Sequence, residues 1–213
     1  MPCSPSKRSR FEKPGRRFDS NDFPSMWRLL IFFSALGIAL ALIARWWFGM
    51  RVLAAEGKRT CHCDLDKWLP APDDEAVIHR SEGTADEFGR QLRLKALAEW
   101  REREPKAAGA RESAKKFGLA VPPLSGIVAI MGMVIAKIPV VGAISVLMAA
   151  TALAAILGLL SIAPELQAIM KNARELRERK HFPRRDDEDA VIKCAIAYAW
   201  KEALPPILKM FQK

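Results

Sequence analysis

Three histidines, one tyrosine and four cysteines among 213 residues leave little material for most active sites. No histidine has another four residues on, since Asp66, Gly83 and Arg185 occupy those positions, so the zinc-protease pattern H-E-x-x-H is absent. The glycines spell neither a phosphate-cradling loop nor a dinucleotide fingerprint, and no serine sits in a G-x-S-x-G elbow. With no nucleophile standing beside a base, catalysis is not expected. Cys3, Cys61, Cys63 and Cys194 are too few and too scattered for a disulfide framework, which points to reduced thiols. A cleavable signal peptide is not expected either. A long polar stretch precedes the first apolar run and no small-residue cleavage site follows it.

Charge is missing from two long stretches. Leu29 to Ala44 contains none, and Phe117 to Pro164 contains only Lys137. The 34 Lys and Arg and 24 Asp and Glu are crowded into what remains, a segregation that argues for a membrane protein rather than a water-soluble enzyme. Within Leu29 to Ala44 ten residues are Leu, Ile or Phe, each favouring insertion by roughly 0.3 to 0.6 kcal/mol. Trp27 flanks this run on one side and Trp46 and Trp47 on the other, the arrangement of an aromatic belt, with Arg28 and Arg45 placed to reach headgroups.

The second stretch is too long for one span and is punctuated by Lys137-Ile138-Pro139, so a helical hairpin is expected. Its first arm, Leu119 to Ala136, carries Pro122-Pro123 near its start, where a kink or a shortened crossing is expected. The second arm, Val140 to Ala163, is long enough to span with some tilt. Small residues recur every four positions at Ala150, Ala154 and Gly158, and again at Gly37 and Ala41. Such faces allow close helix approach and a possible homo-oligomer, although alanine and glycine are common in any membrane helix.

Between these stretches the chain reads as a loop from Arg51, punctuated by Pro70, Pro72 and Gly83, and then as a helix. Thr84 and Glu87 form a capping-box pattern, and the run to Arg103 is rich in good helix formers. Phe88, Leu92, Leu94, Leu97 and Trp100 spread around its wheel, so this arm is expected to meet a partner or the membrane rather than support a core. After Pro164, Leu166, Ile169, Met170, Ala173 and Leu176 keep helical spacing while Lys171, Arg174, Arg177, Arg179 and Lys180 accumulate, an amphipathic basic extension. A last helix, Glu188 to Leu204, is expected at the interface or against the hairpin.

These features define an all-α integral membrane protein: a disordered basic tail (1–26), a transmembrane helix (27–50), a polar loop and charged helical arm (51–116), a hydrophobic hairpin (117–164), and a basic extension with amphipathic C-terminal helices (165–213). Basic residues cluster at both ends of the hairpin and not at its turn, so the polar arm and the C-terminal tail are expected in the cytosol. The first span is balanced in this respect. The net charge of +10 beside apolar spans suits anionic lipid headgroups. Nucleic acid is not an expected partner, because no basic motif is interleaved with aromatics.

Cys61, His62, Cys63, Asp64 and Asp66 concentrate five metal-ligand types in six residues, with His79 further on, and thiolate with imidazole suits zinc or copper. A structural zinc site ordinarily draws on two separated pairs, and no second pair is visible, so the favoured reading is no site and no cofactor. A strained disulfide or a lipidated cysteine are the other readings. Asp186-Asp187-Glu188-Asp189 is expected to cap a helix rather than to chelate a cation. Lys137 is the candidate lining of a pore assembled from hairpins, against the plainer reading that it snorkels at the turn. The expected function is a non-enzymatic membrane scaffold or accessory protein. Trp100 on the arm and Arg174, Arg177, Arg179 and Lys180 on the extension would be its lipid or partner contacts.

Overall fold

A computed structural model describes residues 23–63 and 81–204. The basic tail up to position 22, together with Asp64, Asp66 and His79, lies outside the described residues. The described chain is mostly helical: α1 (Phe23–Arg45), a π-helical turn (Trp46–Met50), α2 (Arg51–Glu56), β1 (Thr60–His62), β2 (Glu82–Thr84), α3 (Ala85–Arg103), α4 (Pro105–Ile135), α5 (Val140–Leu160), α6 (Ile162–Glu178) and α7 (Arg185–Glu202). Three stretches are long and apolar enough to cross a membrane: Met26–Glu56, Pro105–Ile135 and Val140–Glu178.

The apolar ends of these stretches form one bundle. Trp27 packs over Gly142, Gly37 faces Ala152 and Ile156, and Ala41 clusters with Ala155 and Leu204, so α1 runs parallel to α5 along its length. The helix α4 returns antiparallel against α5 as the expected hairpin. Small residues occupy the α1–α5 seam, whereas large ones point outward: Phe33 is 64% exposed and Val134 76%. In water such surface would be a severe aggregation liability, whereas in hydrocarbon it is solvated.

Pro122 and Pro123 lie inside a continuous α4 of 31 residues and do not shorten it. Each removes an amide donor to the preceding turn, but α5 packs along the helix and this tertiary contact overrides local propensity. One helix thus runs through position 116, where the sequence changes from charged to apolar. The start of the loop expected from Arg51 is helix as far as Glu56. The π turn carries α1 into α2, with the Arg51 amide donating to the Trp46 carbonyl, while Phe48 stacks on Trp200 with ring centroids 5.1 Å apart. The contact with α7 holds this segment helical beyond Trp46 and Trp47.

At the bundle end reached by Arg45 and Leu160, the polar segments build a second unit, the head. Contrary to the expectation from its diffuse wheel, α3 supports a core there: Phe88, Leu92, Ala96 and Trp100 are buried. The wheel looks diffuse because α3 is covered on several sides, by α7, α6 and the start of α4. Gly89 is required by the α3–α7 crossing, since a Cβ there would lie 2.6 Å from that of Cys194. The final helix α7 packs in the head, and the residues just past its end reach the hairpin, where Ala203 meets Gly158 and Leu204 clusters with Ala155. Ala190, Val191, Cys194, Ala195 and Ala199 are buried in the head core, and Phe182 meets Phe88 edge-on at 5.5 Å.

The Thr84 capping box is present, with the Glu87 amide donating to Thr84 Oγ1 and the Thr84 amide to Glu87 Oε2. It starts α3 directly from a short antiparallel ladder that pairs Thr60 with Thr84, Cys61 with Gly83 and His62 with Glu82. The acidic run lies in the first turn of α7, the helix start expected for it, but does not supply the N-cap. The N-cap residue is Arg184, with no side-chain cap. Asp187 instead accepts from Arg59, and Arg177 donates to Glu188 and Asp189, so these carboxylates tie α6 and the ladder to α7.

Candidate functional site

The joint between bundle and head is made of charge. Glu165, on the first turn of α6, is fully buried. It accepts from Arg93 Nε of α3 at 2.8 Å and from Arg111 Nε of α4 at 2.9 Å. Arg93 also donates through Nη2 to Glu202 of α7 at 2.7 Å, and Lys115 Nζ approaches the same Glu202 oxygen at 3.4 Å. Arg111 continues to the Gly158 carbonyl and Ser161 Oγ, where α5 gives way to α6. Gly158 carries no side chain because a Cβ there would collide with the Ala203 carbonyl.

Four helices therefore converge on one ionic cluster. Burial opposes the charge on Arg93, but Glu202 and Glu165 outweigh it and hold its pKa above the ordinary value. Burial likewise works against ionised Glu202, yet Arg93 and Lys115 prevail and hold its carboxyl down to about 2. Buried charges of this kind are tolerable only when each is paired, so the cluster fixes how α6 leaves α5 and where α3 and α7 sit.

Two cavities border it. One, of ≈400 Å³, is lined by Arg45, Arg90, Arg93, Leu94, Tyr198, Lys201 and Glu202. The other, of ≈350 Å³, lies between α4, α5 and the end of α7 and is mostly apolar, with buried Arg111 in its lining beside the more exposed Lys115 and Lys116. In the first, Arg45 is 5% exposed, and its Nε and Nη1 have no hydrogen-bond partner among the described residues. Tyr198 Oη donates to Asp86, and Lys201 Nζ lies over the Tyr198 ring, 5.3 Å from its centre. Burial and Asp86 push the Tyr198 phenol up to about 12.

The candidate sites from sequence separate on inspection. Cys61 and Cys63 point into the head core, while His62 points outward and pairs with Glu82 at 3.2 Å. Strand alternation thus turns the imidazole away from both thiols. Among the described residues no three potential ligands gather around a metal position. Cys61 and Cys194 are free, buried thiols, and Cys63 is buried with them in the head core. Burial and Asp187 push Cys61 up to about 11, and burial and Asp86 push Cys194 up to about 12, the protonated and unreactive state.

Trp100 is buried rather than available for contact, its indole donating to Glu104. Arg174 on α6 and Arg179 and Lys180 just past its end are exposed, whereas Arg177 is engaged by α7. Lys137 occupies the hairpin turn, exposed and left-handed at φ 50°, at the bundle end opposite the head. The small faces of Gly37 and Ala41 are occupied within the chain by α5.

Sequence reading missed Arg93, Arg111, Glu165 and Glu202 as a group, and placed Arg45 simply among headgroups. One signal was available: Glu165 stands immediately after Pro164, the first acid beyond 48 residues that carry only one charge. A carboxylate at such an edge needs a nearby cation. The fold and its charged joint define the class, a mostly helical protein with three stretches apolar enough to span a membrane. No family model, curated protein or solved structure matches the chain.

Proposed function

We propose that the chain is a non-catalytic integral membrane protein that holds its helical head at the cytosolic membrane surface as a scaffold for lipids and partners. The observation that carries this reading is the buried Arg93–Glu165–Arg111 joint, which couples an apolar-surfaced bundle rigidly to a polar-surfaced head. A free linker would suffice for an anchor, whereas a positioned head serves to present a surface in a fixed orientation. The exposed cations Arg174, Arg179 and Lys180 supply part of that surface and suit anionic headgroups or acidic protein segments.

The parallel course of α1 and α5 supports three crossings, with the start of α1 and the Lys137 turn on the face opposite the head. The basic residues flanking the hairpin favour the cytosol for the head. Cysteine accessibility tests this in sealed vesicles. Lys137→Cys and Arg174→Cys are expected to label from opposite sides. Labelling of both from one side would defeat the three-crossing reading. Double charge reversal at Arg174 and Lys180 is expected to reduce binding to anionic vesicles, or crosslinking to partners, while leaving the head folded.

A further inference from the structure

We propose that the cavity beside Arg45 binds a phosphate group, taken from an anionic lipid headgroup. Its lining holds four cations, Arg45, Arg90, Arg93 and Lys201, against one carboxylate, Glu202. That carboxylate is already engaged by Arg93 and Lys115. Glu165 touches Arg93 from behind, but Arg111 also pairs with it, so it supplies no spare negative charge to the cavity. An excess of positive charge therefore faces a half-open cavity.

Arg45 makes that excess specific. The residue is nineteen-twentieths buried and lines the cavity, and its buried Nε and Nη1 have no acceptor among the described residues. An ionised group in that state is costly, and a tetrahedral oxyanion offering two oxygens to the planar fork is the ligand chemistry that relieves it. Arg90 is exposed at the cavity rim and Lys201 follows on α7, so a phosphate seated on Arg45 meets further cations from α3 and α7.

The position of the cavity selects the source. Arg45 closes the apolar helix α1 and immediately precedes the π turn, where Trp46 and Trp47 are half exposed and Arg51 covers the Trp47 ring at 4.4 Å. Such π turns commonly reshape helices at functional positions. An aromatic belt at this level puts the cavity at headgroup depth, within reach of a lipid phosphate whose acyl chains follow the outer face of α1. This assignment of source rests on the reading that α1 crosses a membrane.

The test uses the full chain in phosphatidylcholine nanodiscs with and without phosphatidic acid, and in neutral detergent with inorganic phosphate. Retained lipid is read by native mass spectrometry and stabilisation by thermal melting. The wild type is expected to retain phosphatidic acid selectively, and Arg45→Met to lower that retention about tenfold. The same variant is expected to melt no lower than the wild type in neutral detergent without phosphate, because it removes an unpaired buried charge. Arg90→Gln, at an exposed position that folding does not need, is expected to weaken retention about threefold.

Equal retention by the wild type and both variants would overturn the site. Stabilisation by inorganic phosphate that depends on Arg45, without any preference for phosphatidic acid, would overturn the lipid source and support the phosphate cavity. Carbonate washing of native membranes checks the underlying reading separately. A chain that washes off yet keeps the phosphate response would overturn the membrane assignment alone.

Discussion

The bundle and the head solve the burial problem in opposite senses. In the bundle, alanine and glycine fill the α1–α5 seam while Phe32, Phe33, Val134 and Ile135 face outward. In the head, Phe88, Leu92, Ile169 and Val191 are buried and the basic residues of α6 face outward. Close approach of backbones holds the first together, and removal of large apolar side chains from water holds the second. Where the two units meet, the small-residue seam ends and the large-residue core begins. A paired ionic cluster occupies that boundary.

The sharpest way to break the comparison is to cut the joint. Glu165→Gln leaves Arg93 and Arg111 buried without their shared carboxylate, and should cost about 3 to 5 kcal/mol. Thermal melting in detergent should then split into separate head and bundle transitions, and proteolysis should open near Ser161. A single unchanged transition would show that the two units do not depend on this cluster.

Next in size is Gly89→Val, which forces atoms into the α3–α7 crossing and should destabilise the head by about 1 to 3 kcal/mol. Hydrogen exchange should rise in α3 and α7 while α5 stays protected, showing that the head can be damaged alone. Thr84→Ala, which removes the cap on α3, should cost about 1 kcal/mol and raise exchange only in its first turn.

Acid should sharpen the same contrast. The Glu202 carboxyl titrates near 2 in the folded chain against an ordinary value of 4.5. Its contribution to stability is therefore complete above pH 4.5 and is lost as pH falls toward 2. Melting followed over that window should decline for the wild type and be flatter for Glu202→Gln. The smallest expected change is chemical: at neutral pH Cys61 and Cys194 should resist maleimide in the folded protein, whereas Lys137→Cys at the exposed turn labels readily. Rapid labelling of either native thiol would show that the head core is open.

Much of the bundle was legible from the chain because absence of charge over a helix length is a one-dimensional property. The apolar stretches, the hairpin turn at Lys137 and the Thr84 capping box are all read from neighbours in sequence. The head was less legible. Helix α3 presents apolar residues on several sides because three other elements cover it, and a helical wheel shows only one preferred face at a time. Cys61-His62-Cys63 looked like one cluster until strand pairing turned His62 away from the thiols.

The amino-acid order by itself thus determined helical character, the three hydrophobic stretches and the break at Lys137-Ile138-Pro139, since each follows from composition within a few turns. Only the tertiary structure decided that Arg93, Arg111, Glu165 and Glu202 share one site, that Trp100 is core, and that Arg45 turns into a cavity. Those residues are separated by up to 157 positions, from Arg45 to Glu202. Charge pairing depends on distance in space, and chain spacing carries no record of it until the helices have packed.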